Sequence, residues 1–323
     1  MHLSKSKYCL LWQCPKLLWL DKNHPELRTE DAARDERMVV GNQVGDLAMG
    51  LFGDFVETTV LNEEGRPDIP AMLERTRQCL AEGVENICEA AFSYQGLYCA
   101  VDILRKENGG YAIYEVKSST HEAEIYGVDI AYQKYVLEHC GITVTGTYLV
   151  CINSDYVRGD TLDIQGLFQV IDMTQWVALE APLVESRLAL AEKTLASVTE
   201  PVRDIGEHCS NPYNCAYWAY CSRHLPTPSV FDLYRLSAKK KWECYRKGVV
   251  AFSDLLAEPK LNDKQLRQIQ HYLTDCPPEI DKAGIRSFLN TLSYPIYFLD
   301  FETMQQTIPQ YPGTKPYQQI PFQ

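Results

Sequence analysis

The sequence predicts an α/β domain in which helices wrap a sheet. Three observations carry that expectation. Helical periodicity occupies both flanks. Three strand-like runs follow one another between Ile87 and Ser118. After an intervening helix, the continuous apolar run from Val144 to Asn153 reads as a central strand.

Residues 1–22 carry an apolar pattern ending in Leu17-Leu18-Trp19-Leu20 and read as a helix broken or restarted near Pro15. Residues 23–40 are polar and read as a loop, and Val39 to Phe52 as a helix or short helix pair. Met72 to Glu82 is a helix with Gly83 as its stop. Ile87 to Tyr94, Leu97 to Lys106 and Tyr111 to Ser118 have strand character. Ile125 to His139 is a helix that Gly141 closes. Phe168 to Ile171 is a short strand, and Trp176 to Ser197 is again helical. A boundary falls near Pro226 and Pro228. Residues 230–290 read as helices divided at Lys247-Gly248 and ended by Pro277-Pro278. From Tyr294 the character changes once more.

Composition limits the function classes. The 323 residues are 46% hydrophobic and 23% charged, so wholesale disorder is excluded and two domains, or one with an appendage, are expected. No apolar run approaches the ~18 residues of a transmembrane helix. Gln13, Pro15 and Lys16 interrupt the apolar start before it reaches the length of a secretory signal, so a cytoplasmic chain is expected. With 31 basic and 43 acidic residues the net charge is −12. That balance argues against bulk electrostatic capture of nucleic acid but leaves room for a local basic channel.

The chemistry concentrates at a hairpin. Asn108-Gly109 lies between two apolar runs, and both residues of such a turn must adopt positive φ. Counting outward from it pairs Glu107 with Gly110 and, further out, Asp102 with Glu115, whose Cα atoms would lie ~4.5 Å apart in a non-hydrogen-bonded pair. Lys117, two residues on, shares their face. Two like charges directly opposed on paired strands repel. A divalent cation between them reverses that sign, and Mg²⁺ commonly takes one or two carboxylates plus a phosphate. Lys117 could then stabilise developing charge or help to deprotonate a water. A solvated hairpin face is the competing account. Val101, Ile103, Tyr114 and Val116 weigh against it, because they alternate with the charges.

Twelve cysteines are many for a reducing compartment. Cys79, Cys88, Cys99, Cys140 and Cys151 lie in apolar surroundings and read as packing residues. Cys209, Cys215 and Cys221 are evenly spaced in an aromatic stretch and suggest metal. Thiolates suit both an iron–sulfur cluster and Zn²⁺, and His208 and His224 flank the set.

The hairpin Asp102, the triplet Glu115-Val116-Lys117 and the helix segment Asp129-Ile-Ala-Tyr-Gln133-Lys-Tyr135 resemble the restriction-endonuclease-like PD-(D/E)XK nuclease core of the RecB-type branch. The early Leu3-Ser4-x-Ser6, Cys14-Pro15 and the three late cysteines are similar to its iron–sulfur members, among them CRISPR-associated exonucleases and AddB-type subunits. The resemblance covers residues 1–225. It implies a mixed sheet flanked by helices, with Asp102, Glu115 and the Val116 carbonyl holding Mg²⁺ or Mn²⁺. Lys117 would position the attacking water, and Gln133 would orient Lys117 or the DNA backbone. Cys14, Cys209, Cys215 and Cys221 would hold a [4Fe–4S] cluster, with Zn²⁺ as the alternative and Cys9 as the alternative to Cys14. Three features depart from the family pattern. The stretch Gly41 to Asp46 lacks the His that many members carry, which makes Glu89 the candidate replacement ligand. Tyr135 follows Gln133 more closely than usual, and the cysteines are spaced C-x5-C-x5-C.

Residues 226–290 form the expected helical linker. Tyr245 to Leu256 is similar to a helix-hairpin-helix turn, which would offer backbone N–H groups to phosphates beside Lys239, Lys240, Lys241, Arg246 and Lys247. A solvated linker bundle is the equal alternative. In residues 291–323, Tyr297 to Thr303 reads as a buried strand that places Asp300 and Glu302 on one face. It resembles the start of a DnaQ-type (DEDD) exonuclease of the RNase H-like fold. That site needs two further acidic residues, so a truncated RNase H-like domain is expected. This layout resembles a bacterial two-nuclease family. The expected function is a Mg²⁺- or Mn²⁺-dependent DNA exonuclease acting on single strands or ends in repair, defence or CRISPR-type processing, with possible protein partners and no membrane. The alternative is a catalytically degenerate module that recruits the DnaQ-like part.

Overall fold

The computed structural model describes residues 2–30, 32–257 and 261–323. Their contacts divide the chain into two units: Met1–Arg203, Asn211–Tyr217 and Glu302–Gln323 form the first, Asp204–Ser210 and Trp218–Phe301 the second.

In the first unit the chain runs β1 (Leu3–Ser4), α1 (Lys5–Gln13), α2 (Pro15–Asn23), α3 (Ala32–Met49), β2 (Val56–Glu57), α4 (Ile69–Glu82) and β3 (Asn86–Tyr94). It continues through β4 (Leu97–Glu107), β5 (Gly110–Lys117), α5 (Glu124–His139), β6 (Val144–Ile152), α6 (Ile164–Leu167), β7 (Phe168–Asp172), α7 (Thr174–Glu180) and α8 (Val184–Ala196). The fold is α/β, with one mixed seven-stranded sheet flanked by helices. The strand order is β2-β3-β4-β5-β6-β7, and β1 pairs with β4. β3, β4 and β5 form an antiparallel meander, α5 carries the chain over to β6 parallel to β5, and β7 closes antiparallel to β6.

Local chemistry explains the punctuation. Cys14 and Pro15 separate α1 from α2, with Pro15 at the first helical position where a missing N–H costs nothing. Gly83 ends α4 at φ 72°. Asn108 and Gly109 take φ 51° and 80°, so the β4–β5 turn has the expected conformation and register, with Glu107 opposite Gly110. The polar stretch expected to be a loop up to residue 40 is helical from Ala32. Its charges lie outside the apolar pattern that marks the later turns, where Val44 and Ala48 are buried.

Two apolar clusters cover the two faces of the sheet. The first gathers Leu3, Tyr8, Leu18, Cys79, Val128, Val177 and Ala191, and so seats α1, α2, α4, α5, α7 and α8. The second joins Val44 and Met49 of α3 and Leu167 of α6 to Cys88, Ile103, Tyr114 and Val150, with Tyr317 packed against it. These memberships expose an irregularity. On β4, Val101 and Leu104 both enter the first cluster and Ile103 the second. On β3, Ile87 and Ala90 enter the first and Cys88 the second. Strict alternation fails in both strands, contrary to the expectation that Val101 and Ile103 share a face. The break lies at Glu89, with φ 54°, and opposite it at Asp102, between the pairs Cys88↔Ile103 and Ala90↔Val101.

The second unit contains α9 (Trp218–Cys221), α10 (Ala238–Arg246), α11 (Phe252–Leu255), α12 (Asp263–Thr274) and α13 (Lys282–Leu289). Val230, Leu233, Cys244, Phe252, Leu255 and Ile269 form its core. Gly248, at φ 75°, turns the chain between α10 and α11. Lys241 donates to the Phe231 carbonyl at 2.6 Å, so this member of the basic run is held within the fold.

The expected strand from Tyr297 to Thr303 does not form. Tyr297, Phe298, Leu299 and Phe301 are exposed, and pairing starts only at β8 (Thr303–Gln305), antiparallel to β9 (Gln319–Pro321). A buried-strand pattern needs partner strands on both sides, and among the described residues none pairs with 297–301. Asp300 turns its carboxylate onto the Phe301 N–H at 2.8 Å, while Glu302 extends the β8–β9 pairing through its backbone.

Candidate active site

The site grows from a fork in the sheet. The β4–β5 ladder runs from Glu107↔Gly110 to Ile103↔Tyr114 and then stops. Asp102 Oδ2 accepts the Val116 N–H at 2.7 Å. In a continued ladder, that N–H would point to the backbone of Val101. Beyond the fork β1 pairs with the start of β4, Leu3↔Leu97 and Ser4↔Tyr98. Tyr132 of α5 fixes this junction, because its hydroxyl donates to the Leu3 carbonyl at 2.6 Å and accepts the Tyr98 N–H at 3.2 Å. Lys5, the next residue after β1, therefore enters the fork.

The functional side chains converge there. Lys5 Nζ donates to Asp102 Oδ1 at 3.3 Å and to both Glu115 oxygens at 3.2 Å. Lys117 Nζ contacts Glu115 Oε1 and, at 3.2 Å, Asp129 Oδ2. Gln133 Nε2 donates to Glu115 Oε2 at 2.6 Å and to Asp129 Oδ1 at 3.1 Å. Both Gln133 contacts are to acceptors, which fixes the amide orientation. Gln133 Oε1 is left buried without a partner among the described residues. The Lys117 ammonium also lies 5.7 Å from the centre of the Tyr126 ring.

Electrostatics separates the carboxyls. Burial opposes ionisation of Glu115. Lys117 and Lys5, with hydrogen bonds from Lys117 and Gln133, outweigh it and hold the group well below the usual carboxylate range. Asp102 and Asp129 are raised, first by burial and then by the Glu115 charge. Glu89 is pushed up to about 7 by burial and by Asp102. Burial works against both ammonium groups, yet the surrounding carboxylates raise Lys5 and Lys117 and keep them charged.

Sequence-predicted residues divide accordingly. Asp102, Glu115, Lys117 and Gln133 meet in one network, and Glu89 occupies the β3 position opposite Asp102. Gln133 contacts Glu115 and Asp129, and both its neighbours, rather than Lys117 directly, receive its N–H groups. Val116 supplies its N–H to Asp102 and its side chain to the second core. Tyr135 packs against His139 with the rings tilted and their centres 4.0 Å apart, on the first core face. Asp300 and Glu302 are exposed. Cys14 is buried at the start of α2, while Cys209, Cys215 and Cys221 are partly buried. Cys14 and Cys215 belong to the first unit, Cys209 and Cys221 to the second.

Sequence reasoning missed Lys5, Asp129 and Tyr132. For Asp129 the signal was present, since Asp129 and Gln133 are four apart on one helix face. For Lys5 the usable signal was weaker: a lysine between two serines just after Leu3.

Among the described residues, no three His, Cys, Asp or Glu side chains form a ready metal cage. The donors present suit a hydrated ion instead. Asp102 Oδ1 and both Glu115 oxygens already address one cationic point, held here by Lys5 Nζ. Mg²⁺ keeps several waters and needs few carboxylates. The orphaned Gln133 Oε1 offers a nearby acceptor.

A family described as a domain of unknown function (DUF2779) matches residues 297–323. No curated protein matches the chain. No helix among the described residues is long and apolar enough to cross a membrane.

Proposed function

We propose that the first unit is a Mg²⁺- or Mn²⁺-dependent DNA nuclease of the PD-(D/E)XK class, acting on single strands or ends. One observation carries the reading. At a fork in the sheet, Asp102 and Glu115 share a single cationic position, and Lys117 is tied to the same Glu115. Asp102 and Glu115 would hold the ion, which when bound polarises the phosphodiester and lowers the pKa of a water. Glu115 is kept ionised and oriented by Gln133. Lys117, held as an ammonium between Glu115 and Asp129, donates to the attacking water or to charge developing on the phosphate. The [4Fe–4S] or Zn²⁺ site at Cys14, Cys209, Cys215 and Cys221 is proposed from the cysteine pattern, and no chemical step passes through it. The Asp300–Glu302 segment is proposed as the beginning of a DnaQ-like domain on the same footing.

The test uses purified protein with labelled single- and double-stranded oligonucleotides in Mg²⁺, Mn²⁺ and EDTA. Metal-dependent cleavage that disappears in Asp102→Asn and Lys117→Ala supports the reading. Full cleavage in both folded variants rejects it. A second reading, a degenerate nucleic-acid-binding module that recruits a DnaQ-like exonuclease, draws on Lys5, which neutralises the carboxylates without any ion. That reading expects DNA binding in EDTA and no cleavage by the pure protein.

A further inference from the structure

Lys5 is the one member of the network that the nuclease chemistry leaves without a task. Its ammonium contacts three oxygens of the two carboxylates assigned to the metal. A divalent ion on those oxygens would lie close to that ammonium, and the two positive charges would repel. The backbone of Lys5 cannot retreat easily. It follows the Ser4↔Tyr98 pair directly, and Tyr132 holds the Leu3 carbonyl at 2.6 Å. The side chain can move, because four flexible carbons separate the ammonium from that anchored backbone. An ammonium displaced over such a short tether stays at the mouth of the fork.

The charges then favour one new partner. Glu89, Asp102, Glu115 and Asp129 face Lys5 and Lys117. Once a dication satisfies Asp102 and Glu115, and Lys117 stays on Asp129, the anions left within reach of Lys5 are Glu89 and the phosphodiester, of which the phosphodiester is ionised at any working pH. We propose that Lys5 is an exchangeable cation: it holds Asp102 and Glu115 together in the metal-free protein, yields them to the divalent ion, and transfers its ammonium to the scissile phosphate. This rests on the nuclease reading and adds a second lysine to it. Lys117 stays with Glu115 and Asp129, while Lys5 changes partner between the two states.

The test compares the full-length wild type with Lys5→Met, which keeps the stem without the charge, and Lys5→Arg, which keeps the charge. Mn²⁺ binding is measured by titration calorimetry without DNA. Lys5→Met is expected to bind Mn²⁺ about thirtyfold more tightly, the factor that repulsion between a dication and an ammonium ~4 Å apart gives at the dielectric of water. It is also expected to melt below wild type in EDTA and to recover when Mn²⁺ is added. In cleavage assays its kcat should fall about a hundredfold, the scale for removing one preorganised donor to a developing charge, and Lys5→Arg should restore part of it. Lys5→Met that is folded in Mn²⁺ but binds the ion no more tightly than wild type overturns the exchange. Unchanged kcat in Lys5→Met overturns the transfer to phosphate while leaving the nuclease reading standing. A wild type that neither binds Mn²⁺ nor cleaves DNA overturns both, so the two failures are distinguishable.

Discussion

Asp102 Oδ2 accepts the Val116 N–H at 2.7 Å, and through this one hydrogen bond a side chain of β4 takes the place of a backbone acceptor on the neighbouring strand. The β4–β5 ladder ends one residue earlier, at Ile103↔Tyr114. The same carboxylate turns its other oxygen to Lys5 at 3.3 Å. Asp102 thus opens the fork with one oxygen and faces the cation with the other.

These two tasks separate in variants. Asp102→Asn keeps an oxygen for the Val116 N–H and loses the charge. Asp102→Ala loses both. Urea denaturation in EDTA should place the Ala variant about 1–3 kcal/mol below the Asn variant, the usual cost of leaving a buried donor unmet. Both should lose metal-dependent cleavage by about a hundredfold or more. Equal stability of the two variants would show that the Val116 N–H finds another partner.

Gln133 has a different part. It is fully buried, and its N–H groups serve two carboxylates, Glu115 and Asp129. Gln133→Leu preserves bulk and removes both donors. Hydrogen bonds to charged groups contribute about 1.5–3 kcal/mol, so a stability loss of that size is expected by chemical denaturation. Mn²⁺ affinity should fall as well, because Glu115 is no longer oriented. A variant with wild-type stability would contradict the arrangement.

Much of this site could be read from residue order. Asn108-Gly109 sets the register of β4 on β5, and counting from that turn puts Asp102 and Glu115 one step past the last ladder pair, Ile103↔Tyr114, where Lys5 joins them. Helical spacing places Asp129 over Gln133. What could not be read depends on tertiary context. The positive φ of Glu89 is unusual for a residue with a side chain, so alternation gave no warning that both β3 and β4 would slip by one residue there. Lys5 acquires its role from a two-residue strand whose partner lies more than ninety positions away. The run from Tyr297 to Phe301 has strand composition, but no strand among the described residues pairs with it, and composition does not reveal whether a partner exists.

The seating of Lys5 depends on Tyr132. Its hydroxyl joins β1 to β4 by one donated and one accepted hydrogen bond, and its ring stacks on Tyr8 with centres 4.7 Å apart. Tyr132→Phe keeps the stacking and deletes both bonds. A loss of about 1–3 kcal/mol is expected. Hydrogen exchange should localise the change, with faster exchange at Tyr98 and little effect at the other β3–β4 pairs. Uniformly faster exchange across the sheet would mean that the hydroxyl acts on the whole core and not on the junction.

Glu89 makes the metal-free fold sensitive to pH. Burial and the Asp102 charge push its carboxyl up to about 7, from an ordinary value near 4.5. The folded state therefore binds this proton more tightly than the unfolded chain does. The resulting stability is fully present below about pH 4.5 and is lost as pH rises through about 7. Glu89→Gln removes the titration and keeps the shape. Asp102 and Asp129 are also raised, so wild type and variant both lose stability with rising pH, and only their difference reports on Glu89. In EDTA, melting temperatures of the two proteins should lie close together at pH 5 and separate by pH 8, with the variant more stable. Curves that stay parallel from pH 5 to pH 8 would show that Glu89 carries no excess proton. Mn²⁺ adds a second reading of the same group. If Glu89 contributes to the ion's surroundings, adding Mn²⁺ at pH 8 should favour the wild type and cancel or reverse the order, because the ion stabilises the ionised carboxylate that the metal-free site disfavours.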